Sequence, residues 1–157
     1  MQKSRISHIV LILTLLIITV TGPVLADDFF QLCKSGRAKE IIDVIDNGVD
    51  VNQTTASGLT PLMIVAKYNS NPYVVTVLVD SGASINYSDN DGWTALTYAA
   101  ASNNLQAMKE LINMDANLNV RTDGGNTPLL VAIKDNNFGA ASRLIDAGAN
   151  VNVKDDD

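Results

Sequence analysis

The sequence predicts an all-α protein, a solenoid of stacked helix-turn-helix units joined by hairpin loops. Three observations carry that prediction. The phrases GLTPLMIVA from Gly58, GWTALTYAA from Gly92 and GNTPLLVAI from Gly125 are versions of one another. A second motif recurs beside them: GVDVN ending at Asn52, GASIN at Asn86, DANLN at Asn119 and GANVN at Asn152. The asparagines step by 34, 33 and 33 residues and the threonines (Thr60, Thr94, Thr127) by 34 and 33, so two independent markers keep one period. A period of this length belongs to units that each cover part of a hydrophobic core and complete it by stacking.

In chain order, residues 1–26 read as a signal peptide. Lys3 and Arg5 give a positive start, and Ile9 to Val20 is an apolar stretch interrupted only by Thr14 and Thr19. Gly22-Pro23 then breaks the helix, and Val24-Leu25-Ala26 sets small residues where a signal peptidase needs them, placing the cut between Ala26 and Asp27. A permanent span wants about 20 apolar residues without a breaker, so an uncleaved anchor is the alternative reading.

Residues 27–52 form an opening unit without the Thr-Pro phrase, with Phe29, Phe30, Leu32, Ile41, Val44 and Ile45 expected to face inward. Units follow over 53–86, 87–119 and 120–152, and 153–157 is an acidic tail. Thr60-Pro61 supplies a side chain suited to capping a helix N-terminus, then a proline at the first helical position, where its missing N–H is not needed. Thr127-Pro128 repeats the device and Thr94-Ala95 keeps the cap alone. Asn71-Pro72, Asn103-Asn104 and Asn136-Asn137 mark corners between paired helices. The second helices carry apolar residues at helical spacing, as in Met108, Leu111 and Ile112, or Ala141, Leu144 and Ile145. Gly82 and Gly148 fall where a helix needs a left-handed stop, a place that Asp115 takes in the third unit. The longer step between Thr60 and Asn86 puts one extra residue in the corner around Asn69 to Pro72.

These phrases resemble the ankyrin repeat, with its TPLH-type start and G-A-D-V-N-type end, from Asp27 to Asn152. The resemblance implies two antiparallel helices and a hairpin per unit, and an opening unit that closes the stack. The family's histidine after TPL is replaced by Met63, Thr97 and Leu130, which implies looser hairpins; Cys33 stands at a small-residue position and is expected to be buried. The fourth unit is expected to cap itself with Lys134, Asp135, Asn137, Ser142 and Arg143. The chain is also similar to small single-domain ankyrin proteins that bacteria export or keep in the envelope.

Composition narrows function. Without Lys3 and Arg5 the basic count falls from 11 to 9 against 17 acidic residues, a net charge of minus 8. Nucleic acid is then an unfavourable partner, because each phosphate contact needs a Lys or Arg, and a membrane enters only through an uncleaved signal segment. His8 is the only histidine and Cys33 the only cysteine, so the mature chain has no imidazole for a nucleophile pair or a zinc site. Asp89-Asn90-Asp91-Gly92 fails as a calcium loop: with Gly92 at the sixth position, Tyr87 and Tyr98 stand where acids are required. No glycine-rich phosphate loop is present. No catalytic residue, cofactor, metal or small-molecule substrate is expected. Asn52 and Asn86 open N-glycosylation acceptors, yet both belong to the structural motif, where a glycan would collide with the next unit. With a lone cysteine, this favours bacterial export or the bacterial envelope.

The resemblance then implies a protein partner held on the concave face by hairpin tips and first helices. The positions are Leu59, Ser88, Asn90, Trp93, Arg121, Asp123 and Asn126 at the tips, with Tyr68 on a first helix. Thr54 and Ala56 add to the tips, and Lys67, Ala101, Ser102, Lys134 and Asp135 to the helices. Trp93 is the expected anchor, since Trp is enriched at binding hot spots; the competing role is packing against Tyr68 or Leu59. Either a resident envelope protein or a protein of another cell suits as partner.

Overall fold

A computed structural model describes residues 26–155. The signal segment up to Leu25 lies outside the described residues, as do Asp156 and Asp157 of the acidic tail; of the predicted cut, Ala26 and Asp27 fall in the first helical turn. Eight helices form among the described residues, two per unit: α1 (Ala26–Ser35) and α2 (Ala38–Asp46), α3 (Pro61–Tyr68) and α4 (Pro72–Asp80), α5 (Ala95–Ala101) and α6 (Leu105–Asn113), α7 (Pro128–Lys134) and α8 (Phe138–Asp146). The first helices α1, α3, α5 and α7 neighbour one another in one layer, and the second helices form the other.

Local chemistry explains each boundary. The Oγ1 atoms of Thr60, Thr94 and Thr127 accept hydrogen bonds from the N–H groups of Met63, Thr97 and Leu130, closing the exposed ends of α3, α5 and α7. At the former histidine positions, the sulfur of Met63 accepts the Thr60 N–H and the Thr97 hydroxyl pairs with that of Thr94 at 3.0 Å. The second helices stop as expected, with Gly82 and Gly148 at φ +93° and Asp115 at φ +61°. Helix α3 is one residue longer than α5 and α7, and the distance from Thr cap to Asn cap grows from ten residues to eleven, so the extra residue falls at the α3 end and its corner.

The core runs continuously from unit to unit. Phe29, Ile41, Leu62, Val65, Val74, Leu78, Leu96, Ala99, Met108, Leu111, Ala132 and Leu144 are buried in one cluster, with Leu32, Val44 and Ile45 packed partly against it. Small residues let the first helices approach: Ala66 and Ala100 are fully enclosed at equivalent positions of α3 and α5. In α7 that position is Ile133, which is 52% exposed because no fifth first helix lies against it among the described residues. Phe138, Ile145 and Val151 are exposed on the same unit. The polar cap expected of the fourth unit is therefore only partly realised. Asn137 turns its amide inward to the carbonyls of Ala100 and Ala101, and Lys134 folds onto Asp155 at 2.6 Å.

Two ladders of asparagines join the units. Asn69 donates to the carbonyls of Cys33 and Gly36, Asn104 to those of Ala66 and Asn69, and Asn137 to those of Ala100 and Ala101. Each corner amide thus satisfies carbonyls at the end of the preceding first helix, which the helix itself leaves unpaired. On the opposite side the recurring-motif asparagines Asn52, Asn86 and Asn119 accept the backbone N–H of Ser84, Asn117 and Asn150, each at 2.8 Å. Both N-glycosylation acceptors therefore spend their side chains on the next unit.

Cys33 is fully buried on α1. Burial pushes its thiol up from an ordinary value of 9.0 to about 12. The unfolded chain ionises this group near pH 9 and the native chain only near pH 12, so its contribution to stability is complete below pH 9 and is lost as pH rises through that window. Thermal melting between pH 8 and 11 should fall less steeply for Cys33→Ala than for the native chain. At pH 8 a thiol reagent should label Cys33 only after denaturant is added, since the thiolate is the reactive form.

Candidate protein-binding face

Each hairpin tip is built alike. Thr55, Asp89 and Thr122 donate their N–H to the carbonyl four residues on (Leu59, Trp93 and Asn126), and a side-chain oxygen of each accepts the N–H returning from that same residue. Neighbouring tips are stitched together. The Asn90 backbone N–H donates to the Ser57 carbonyl and its amide to that of Ala56, while the Asp123 N–H donates to the Asp91 carbonyl. This contact requires Gly92, at φ +79°, because a Cβ there would lie 2.9 Å from the Asp123 nitrogen and 3.0 Å from Thr122 Cα.

The predicted site residues consequently divide. Leu59 and Tyr68 come together in a groove of about 370 Å³ between tips and first helices, lined by Phe30, Gln31 and Lys34 of α1, Thr55 and Leu59 of the tip, Met63, Ile64, Lys67 and Tyr68 of α3, and Tyr98 of α5. Trp93 stands beside it, half-buried with its ring centroid 5.0 Å from that of Tyr98, which replaces the expected packing against Tyr68 or Leu59. Ser88 is exposed. Asn90 and Asp123 hold tip to tip, and Asn126 folds its amide onto the Gly124 carbonyl of its own turn. Arg121 reaches away from the groove to the Lys154 carbonyl at 3.0 Å.

Tyr98, Lys34 and Phe30 are among the groove residues that sequence reasoning missed, with Gln31, Thr55, Met63 and Ile64. The Tyr98 hydroxyl donates to the second oxygen of Asp89 at 2.5 Å, whose first oxygen already accepts from Asp91 and Trp93. Burial first, then this bond and the nearby charges of Asp89 and Asp91, hold the phenol protonated far above its usual range. Tyr98 is thereby fixed as a wall. Lys67 lies 5.1 Å from the Tyr68 ring centre and 5.3 Å from that of Tyr98, and Lys34 lies 5.9 Å from Tyr68. A recess on the other layer, between α6 and α8, mixes Lys109 and Arg143 with Asp146 and has no aromatic wall. Among the described residues no three His, Cys, Asp or Glu gather as metal ligands, and no helix is long and apolar enough to cross a membrane.

Stacked helix pairs, a shared core and protruding hairpins with an apolar groove beneath them define a repeat protein of the binding-scaffold class. The family model described as Ankyrin repeats (3 copies) matches residues 29–122 and, overlapping, 71–155. The chain belongs to the ankyrin-repeat family, whose repeats are protein-interaction units and whose members are typically scaffolds rather than enzymes. It is similar to the human fibronectin type 3 and ankyrin repeat domains protein 1, 40% identical over 58 residues (37% of this chain, 14% of that one). Similarity also extends to the human SH3 and multiple ankyrin repeat domains protein 2, 34% identical over 74 residues (46% and 4%). The rat ankyrin repeat and SAM domain-containing protein 6 is 34% identical over 86 residues (54% and 10%). The chain thus spans only a small part of the length of these relatives.

Proposed function

We propose that this protein is an exported, non-catalytic adaptor that grips one protein partner with its hairpin tips and first helices. One observation carries the reading: Tyr68, Tyr98, Trp93 and Leu59 leave aromatic and apolar surface around a groove, with Tyr68 52% exposed at the end of α3. Surface of that kind, beside a polar rim, is what hot spots are made from. The tips and first helices are held by bonds that reach from one unit to the next, so the face is preorganised and little ordering entropy opposes binding.

Used as baits in the native host's extract, the full chain and Trp93→Ala should differ by about 2 kcal/mol in partner affinity, roughly 30-fold. The same substitution removes a ring pair worth about 0.5–1.5 kcal/mol, so the melting midpoint drops only by a few degrees. Equal capture by a folded variant removes Trp93 from the site.

Export rests on the charged start, the apolar stretch and the Val24-Leu25-Ala26 site. The lone Cys33 and the engagement of Asn52 and Asn86 in loop-to-loop bonds support a bacterial envelope or secreted setting. Intact mass of the protein from its host should correspond to a chain beginning at Asp27. A full-length species in the membrane fraction would instead favour the anchored form.

A further inference from the structure

Building on the reading that the tips and first helices bind a protein, we infer that the groove takes an acidic segment, one in which a large apolar side chain is flanked by Asp or Glu. The walls of the groove carry two lysines and no carboxylate. That is opposite in sign to the chain as a whole, which has 11 basic against 17 acidic residues. Lys34 and Lys67 sit on either α1 or α3, and both ammonium groups lie within 6 Å of the one Tyr68 ring. Ring faces hold them over the groove without neutralising them; Lys34 also donates to the neutral Gln31 amide oxygen, and among the described residues neither lysine pairs with a carboxylate.

Asp89, which bonds to the Tyr98 wall, has both its oxygens occupied, by the Tyr98 hydroxyl on one side and two backbone N–H groups on the other, and forms no ion pair with either lysine. Charges elsewhere on the protein act weakly here, because at physiological ionic strength screening sets in over about 8 Å. Asp89 and Asp91 act on the Tyr98 side of the groove, whereas around Tyr68 the two ammonium groups are the close charges and favour an anionic occupant there. Beneath the lysines the floor is apolar, with Phe30, Met63 and Ile64 all buried. Anionic rim partners around an apolar anchor complement both features at once. A basic segment would bring like charges to Lys34 and Lys67, which is the arrangement that excludes wrong partners.

The test uses a random peptide library displayed on phage as the probe, panned on the full chain, followed by titration of synthetic copies of the selected peptides. The selected sequences should be enriched in Asp or Glu beside Leu, Phe or another large apolar residue. Their affinity should fall at least ten-fold for Lys34→Glu/Lys67→Glu, several-fold for Lys67→Gln, and on raising salt. Lys67 is exposed and Lys34 half-exposed, so the melting midpoint of Lys67→Gln should match the native chain. Peptides that lose affinity on Trp93→Ala yet show no acidic bias, or bind Lys67→Gln unchanged, overturn the acidic occupant while leaving the binding face in place. Peptides indifferent to both Trp93→Ala and the lysine variants overturn both.

Discussion

Gly92→Val should destabilise the protein by about 3 kcal/mol, while Gly82→Val costs about 1 kcal/mol. Both glycines have positive φ, +79° and +93°, where a β-branched residue is strained by about 1 kcal/mol or more. They differ in what surrounds them. Nothing lies within 4 Å of a Cβ built on Gly82, whereas one on Gly92 meets the backbone of Thr122 and Asp123 at about 3 Å, and backbone there cannot rotate away. The surplus is the cost of separating the second and third hairpin tips. Thermal denaturation should show Gly92→Val lowered by about 10 °C and Gly82→Val by a few degrees. Equal shifts would mean that the tips are not in contact.

Asn104→Ala should cost about 3 kcal/mol, against about 1 kcal/mol for Asn71→Ala. Asn71 only caps its own helix, its side chain accepting the Tyr73 N–H at 3.2 Å. Asn104 caps α6 through the Ala107 N–H and also donates to the carbonyls of Ala66 and Asn69 at 3.0 and 2.9 Å. Its removal leaves two carbonyls at the end of α3 without their partner, and the penalty for an unmet buried group exceeds the value of an average hydrogen bond. Urea titration of the two variants separates a local cap from a bond between units. Because each unit is stabilised by its neighbours, the larger loss should also broaden the transition.

Much of the fold is legible because repetition tests every assignment several times. Thr60, Thr94 and Thr127 each cap a helix, and Gly82, Asp115 and Gly148 each end one, so agreement at three places outweighs the weak propensity at any single place. The outer side of the fourth unit is where that logic stops. Ile133, Ile145 and Val151 follow the same pattern as residues covered in earlier units, and the pattern itself carries no sign that the covering unit is missing beside them among the described residues.

The candidate site is legible only in part, for a related reason. Leu59, Tyr68 and Trp93 could be picked out by position within their units, but the groove itself brings Phe30 and Lys34 of the first unit and Tyr98 of the third to Leu59 and Tyr68 of the second, a meeting that no local spacing encodes. A tip asparagine looks the same in sequence whether it greets a partner or a neighbouring loop. Asn90 and Asn126 spend their amides on backbone carbonyls, and their polarity alone could not announce that.

Amide hydrogen exchange, comparing the protein alone with the complex formed by its captured partner, tests the central claim most directly. Binding at the tips and first helices predicts slowed exchange over residues 53–60 and 87–94 and at the C-terminal ends of α3 and α5, with α4, α6 and α8 unchanged. Protection confined to those second helices, or to the exposed apolar side of the fourth unit, would contradict it.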